Sequence, residues 1–283
     1  MLKLITLNAI IEYIENNLEN FQINTKQLVD YSGFSRRYIQ LLFKKHVGIS
    51  IGKYIQLRRA SRAAVLLKLT NIPLADIASK LFYDSQQTFT REFKKNTGYT
   101  PLQYRNQNMW TFPNLIGSRY TKNTLPSPRY CYLNKTAIYG RIERYIEKIP
   151  HTGTYSKPRR MVIDHLISIS KSPVYLSNKV TASKKVTDAV DIETVYWDKN
   201  KRDQQITTLP EGCYAYFIFN GGWSDYIEYI NNVYMNTLAF YGLQKKGDYD
   251  IEVISQSDNG DYVFEYYIPV TPLINNSERC AIS

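Results

Sequence analysis

The first hundred residues alternate apolar and polar positions with the period of an α-helix almost throughout. Ile10, Ile11, Tyr13, Ile14 and Leu18 recur at helical spacing and predict an opening amphipathic helix from about Thr6 to Glu19. Thr25 reads as the N-cap of a short helix holding Leu28 and Val29. Gly33 follows, a residue free to take the positive φ of a tight interhelical turn. Ser35 then caps a helix running through Tyr38, Ile39, Leu42 and Phe43, which ends near Gly48. A long helix from about Ile51 to Leu69 offers Tyr54, Ile55, Ala60, Ala63, Ala64 and Leu67 for packing.

The pattern then repeats. Leu74, Ile77, Ala78 and Leu81 form a short helix, Phe82, Tyr83 and Asp84 a turn, and Ser85 caps a helix carrying Phe89 and Phe93 that ends at Gly98. Pro101 opens a last helix through Tyr104. Leu28–Lys45 and Ile77–Lys94 have the same length and align without insertion. Phe34 then faces Tyr83, while Phe43-Lys44-Lys45 parallels Phe93-Lys94-Lys95, and Ser35 meets Ser85 only after a one-residue shift. Two helix-turn-helix units, at about 25–47 and 74–97 within an all-α domain of residues 1–107, are the expected arrangement.

Residues 108–128 lose this periodicity and gather Pro113, Pro126 and Pro128, which is linker composition. Beyond them, Cys213–Phe219 and Tyr262–Ile268 are aromatic and β-branched runs bounded by glycine or proline. Tyr226, Ile227, Tyr229, Ile230, Val233, Tyr234 and Leu238 fit one helical face, and Tyr155 to about Ser172 offers another helix. Residues 129–283 are therefore expected to form a separate α+β domain.

Charge sharpens this division. Residues 1–107 carry 16 Lys and Arg against 7 Asp and Glu, a net of +9 out of the chain's +11. Such asymmetry is the footprint of a domain that lies against phosphates, although a solvated basic surface would show it too. No apolar run approaches the roughly 18 residues of a membrane span. The N-terminus lacks a charged region followed by an apolar stretch and cleavage site, so a cytoplasmic protein is expected. Cys131, Cys213 and Cys280 are odd in number and scattered, as are His46, His151 and His165. They suggest no disulfide framework and no metal site, and no catalytic Ser/His/Asp or Cys/His set is evident, so neither an enzyme nor a cofactor is expected.

A recognition helix reads base edges with side chains near its N-terminus. In the first unit these are Arg36, Arg37, Gln40 and Leu41; in the second, Gln86, Gln87, Thr88, Thr90 and Arg91. Arginine suits guanine and glutamine suits adenine, while Leu41 either packs or touches a thymine methyl. Lys44, Lys45, Lys53, Lys94 and Lys95 fall near helix ends and suit phosphates.

The residues Ser32–Lys45, Gly52–Ile55 with Arg58 and Arg59, Ser85–Lys94 and Gly98–Arg105 make residues 1–107 resemble the DNA-binding domain of the AraC/XylS family, in its MarA, SoxS and Rob branch. That resemblance implies one polypeptide inserting both recognition helices into adjacent major-groove segments. The site would span about 20 base pairs, because successive grooves on one face lie roughly 34 Å apart. It also implies base contacts from Arg37, Gln40, Leu41, Gln86, Gln87, Thr88 and Arg91, and phosphate contacts from Arg36, Thr90 and the five lysines. Double-stranded DNA and RNA polymerase are the implied partners, with activation the implied outcome. Close relatives carry Trp at the position of Arg37 and Arg at that of Leu41, so their target sequence does not transfer to this chain.

The runs Leu209–Phe219, Gly247–Glu252 and Phe264–Val270 make the second half resemble GyrI-like effector-binding domains, as found in Rob. The domain order is similar to that of activators of capsule and pilus operons in enteric bacteria. The resemblance implies an aromatic cleft where a carboxylate meets a cationic or amphipathic effector. Glu265 matches the acidic position, strand alternation places Tyr267 beside it, and Trp197, Trp223 and Tyr214 could supply walls. The alternative is a structural or protein-interaction module without a ligand.

Overall fold

The computed structural model describes residues 2–112, 114–119, 125–149, 156–170, 172–198, 205–257 and 260–271. The N-terminal part is helical: α1 (Leu2–Asn17), α2 (Thr25–Ser32), α3 (Arg36–Val47), α4 (Ile51–Leu69), α5 (Leu74–Lys80), α6 (Gln86–Thr97) and α7 (Pro101–Asn106). Helix α1 starts earlier and ends earlier than its periodicity suggests. Asn24, not Thr25, caps α2, because its side chain accepts the Gln27 N–H at 3.0 Å while Gln27 returns a bond to the Asn24 N–H at 2.8 Å.

The repeat proves to have a one-residue insertion inside its turn. Up to the turn the offset between the units is 49, pairing Gly33 (φ 70°) with Phe82 (φ 56°). After the turn it is 50. Ser35 and Ser85 then cap α3 and α6 alike, and Gly48 (φ 84°) and Gly98 (φ 82°) end them alike. Phe82 holds a backbone conformation unusual for a bulky residue. Arg59 supports it, donating to the Phe82 carbonyl at 3.4 Å and standing over its ring.

Helix α4 is the hub: 13 of its 19 residues are buried, so it is packed on every side rather than along one stripe. Its first turns, with Ile51, Tyr54 and Ile55, join Ile10, Ile14, Leu28, Ile39 and Phe43 in a core belonging to the first unit. From Ala60 to Leu69 it enters a second core that holds Ile77, Phe89, Phe93 and Tyr104 of the second unit and continues without a break into the C-terminal domain. The segment read as a linker takes part in this packing. Trp110, Phe112 and Leu115 are buried in the second core, and Trp110 pairs with Lys245. Gly117 lies so close to the helical segment above it that a Cβ would collide with the Asn236 carbonyl.

The C-terminal domain comprises β1 (Arg129–Leu133), β2 (Thr136–Lys148), α8 (Ser156–Ser170), β3 (Val174–Ala182), β4 (Ala189–Trp197), β5 (Gln205–Leu209), β6 (Gly212–Gly221), α9 (Trp223–Asn232), a π-helical turn (Val233–Thr237), α10 (Leu238–Tyr241), β7 (Gln244–Lys245), β8 (Asp250–Gln256) and β9 (Tyr262–Thr271). The strands form an antiparallel sheet in the order β1-β6-β9-β8-β3-β4-β2-β5, with β7 on β9. Strand β2 pairs with β5 through its first residues and with β4 from Gly140 onward, where a Cβ would collide with the Tyr196 carbonyl. One face, with Leu176, Phe217, Ile254, Phe264 and Ile268, packs in the core shared with the helices. The other carries a smaller cluster around Ile138, Val195, Leu209, Tyr214 and Ile251. Cys131 is a free thiol.

Candidate nucleic-acid interface and effector pocket

Each recognition helix is built from the same parts. Ser35 Oγ accepts the Tyr38 N–H at 3.3 Å, and Ser85 Oγ accepts the Thr88 N–H at 3.1 Å, fixing the point where each helix begins. Ile39, Leu42 and Phe43 bury one face of α3; Phe89 and Phe93 bury the matching face of α6. Arg36, Arg37, Gln40, Leu41, Lys44 and Lys45 are left exposed on α3, and Gln86, Gln87, Arg91, Lys94 and Lys95 on α6. Leu41 is 60% exposed, so it does not pack in the core.

Three expected DNA-contacting residues stand differently. Thr88 is half-buried, and its hydroxyl bonds to Ser85 Oγ at 3.2 Å, tying it to the cap. The offset of 50 makes Gln87, Thr90 and Arg91 the counterparts of Arg37, Gln40 and Leu41, and Thr90 is half-buried. Lys53 turns inward to Gln56 (3.1 Å) and Asn96 (3.4 Å), joining α4 to α6.

Two acidic residues of this domain, Glu15 and Glu19, are held in ion pairs inside it. Glu15 takes two 2.8 Å bonds from Arg58 and one of 2.7 Å from Tyr54. Glu19 pairs with Arg62 and Lys80. Burial would raise the Glu19 carboxyl, but these two cations more than offset that and hold it below the usual carboxylate range. Among the described residues, the exposed basic side chains of α3 and α6 make no ion pair, so the positive excess is presented on the recognition helices.

Arg58 also reaches into the second domain. It is buried and donates to the Ile116 carbonyl at 2.7 Å and to Asn236 Oδ1 at 2.6 Å, while Arg62 points at Met235 Sδ. Asn236 and Met235 belong to the π-helical turn, so α4 is gripped there by polar contacts at its middle.

Met235 and Tyr234 of that turn line a cavity of about 100 Å³ between the helices and the sheet. Leu69, Ile192, Ile227 and Ile230 provide aliphatic wall; Tyr145, Tyr226, Tyr234 and Tyr266 provide rings. Two buried carboxylates line it, Glu147 and Glu252; Glu252 accepts from Arg159, from Asn178 at 2.8 Å and from Tyr226 at 3.0 Å. Burial pushes the Tyr226 hydroxyl well up, with the Glu252 charge adding to the shift, so it stays a donor.

None of the five residues expected around a ligand lines this cavity. Alternation does put Val263, Glu265 and Tyr267 together, and Tyr267 donates to Glu265. But Phe264, Tyr266 and Ile268 are the residues of β9 that face the helices, so Glu265 lies on the opposite face. Tyr214, Trp197 and Tyr267 belong to the cluster on that far face, and Trp223 packs among Tyr226, Tyr262 and Phe264. A signal for Glu252 existed in Ile251-Glu252-Val253-Ile254: a carboxylate at an inward position of an apolar strand. Nothing comparable marks Arg58 or Arg159, whose partners are distant in sequence.

Two capped recognition helices on a shared spacer helix, fused to a curled sheet with a cavity between it and its helices, define a DNA-binding transcription regulator with an effector-type domain. Residues 28–107 match a helix-turn-helix domain and residues 119–271 a GyrI-like small molecule binding domain. The chain is 44% identical to the F1 operon positive regulatory protein of Yersinia pestis, over 95% of this chain and 89% of that one. It is 29% identical to the right origin-binding protein of Escherichia coli K12, over 85% of this chain and 86% of that protein. The multiple antibiotic resistance protein MarA of the same strain is 38% identical over 37% of this chain and 82% of its own length. The chain belongs to the AraC family of transcription regulators, in the MarA and Rob branch, with a C-terminal GyrI-like domain.

Proposed function

We propose that this chain activates transcription by seating α3 and α6 in successive major-groove segments of one duplex. The observation that carries this is the pair of 12-residue helices, capped and terminated alike 50 residues apart, each exposing arginine or glutamine in its first turns. The spacer α4, with 19 residues at 1.5 Å each, spans about 28 Å, a length comparable to one turn of duplex. Arg37, Gln40 and Leu41 read one half-site; Gln86, Gln87, Thr90 and Arg91 read the other, with Thr88 buttressing the cap. Arg36, Lys44, Lys45, Lys94 and Lys95 hold phosphates. RNA polymerase is the expected partner, in keeping with the name of the Yersinia pestis relative as a positive regulator.

The C-terminal cavity, on this reading, takes a small amphipathic organic cation: tyrosine faces and a buried carboxylate suit such a ligand. Its wall includes Leu69 of α4 and Met235 beside Arg62, so occupancy bears on the helix that spaces the two readers.

Electrophoretic mobility shift on promoter fragments over a salt series tests the DNA reading. Affinity should fall steeply with salt, and Lys95→Ala should weaken all sequences alike while reducing the log–log salt slope by about one. Binding that is indifferent to both salt and sequence would refute it.

A further inference from the structure

Strand β8 presents two carboxylates to the same face, Asp250 and Glu252, and each has a buried cation beside it. The two pairs are built for different purposes. Asp250 accepts from Lys245, five residues back, and from the Tyr234 and Tyr266 hydroxyls, and neither Asp250 nor Lys245 lines the cavity. That pair is closed. Glu252 and its partner Arg159 both line the cavity, and Arg159 comes from α8, 93 residues away in sequence.

Arg159 is poorly satisfied where it stands. Its Nη2 reaches Glu252, but its Nε is buried with no hydrogen-bond partner. Its side chain keeps 12% exposure against 3% for Glu252. Glu252 would keep Asn178 and Tyr226 as donors after Arg159 left. Glu252 thus has three donors, whereas Arg159 keeps one buried N–H without an acceptor.

We propose that Arg159 is a resident surrogate ligand: an organic cation enters the cavity by exchanging with this guanidinium for Glu252. This rests on the sensing reading above and adds its specificity and its energetics. A cationic head that pairs with Glu252 replaces the interaction it disrupts, and its apolar body covers the tyrosine and isoleucine walls. A neutral amphiphile has no means of dislodging Arg159, so the internal pair selects against uncharged ligands. It also sets a threshold: affinity is lowered by whatever the Arg159–Glu252 pair contributes in the empty site. The released Arg159 gives α8 a second position, while its Ile163 and Ile167 remain anchored in the core.

Calorimetric titration of the full chain with tetraphenylphosphonium, against neutral triphenylphosphine oxide, tests the exchange. Arg159→Met should bind the cation about tenfold or more tightly than the unchanged chain, a gain of about 1.4 kcal/mol. Arg159→Gln should give a smaller gain, and the neutral probe should gain nothing. Glu252→Gln should abolish cation binding. If the unchanged chain binds the cation and neither Arg159 variant binds it more tightly, the exchange is wrong and the sensing reading stands. If no variant binds it while all still shift DNA, both are wrong.

Discussion

The two helix-turn-helix units share a plan but not a foundation. The first has a core of its own, closed by α1 and the first turns of α4, and meets the C-terminal domain through the polar grip of Arg58 on Asn236. The second has no separate core: Phe89, Phe93 and Tyr104 lie in the same apolar body as Phe217, Phe264 and the helices of the sheet domain. Apolar packing is non-directional and tolerates little volume change, whereas a buried polar contact breaks at a single atom. An event in the C-terminal cavity is thus expected to act on the second reader through packing and on the first through one arginine.

The largest effects should come from emptying each core. Phe43→Ala and Phe93→Ala should each cost about 3–5 kcal/mol. Amide hydrogen exchange should differ between them. Phe43→Ala should open α1 to α3 and leave the sheet protected, while Phe93→Ala should raise exchange in α4 to α7 and in β3 and β9. Equal loss of protection in the sheet for both would erase the distinction.

Next comes Arg58→Met, which leaves Glu15 buried without its cation and should cost about 3 kcal/mol. Its signature is loss of exchange protection at the N-terminus of α4 and in α1, with the second unit unchanged. Preserved protection in α1 would mean that the arginine clamp is dispensable.

The smallest effect is electrostatic and depends on pH. Glu19 ties α1 to α4 and α5, and its carboxyl is held below its ordinary value in the folded chain. The unfolded chain therefore takes up the proton first as pH falls, so this contribution is present at neutral pH and lost progressively below about 4.5. Glu19→Gln should lower stability by about 1 kcal/mol or less at pH 7, with the gap to the unchanged chain closing toward pH 3. A constant gap across that range would show that the carboxylate's charge plays no part.

Much of this was legible in the sequence, for local reasons. Caps at Ser35 and Ser85, stops at Gly48 and Gly98 and the 3.6-residue period specify the helices, and α4 runs from Ile51 to Leu69 as its periodicity predicts. The slip from 49 to 50 was visible as a mismatch between Ser35 and Ser85, but not where it fell, because Phe82 adopts a positive φ that a glycine would normally mark. In the sheet, alternation gave the pairing of Glu265 with Tyr267. It could not say which parity faces the helices, since β9 carries bulky residues on both sides. The linker composition of 108–128 concealed Trp110, Phe112 and Leu115, whose burial depends on strands more than a hundred residues away.

On the proposed function, one chain reads two half-sites with α3 and α6. Binding measured over a library of single base-pair substitutions, for the unchanged chain, Arg37→Ala and Arg91→Ala, tests it most directly. Each variant should lose about 1–3 kcal/mol of base preference at its own position. The two positions should lie about 10 base pairs apart, one turn of duplex. Loss of preference at the same base pairs in both variants, or at none in either, would contradict it.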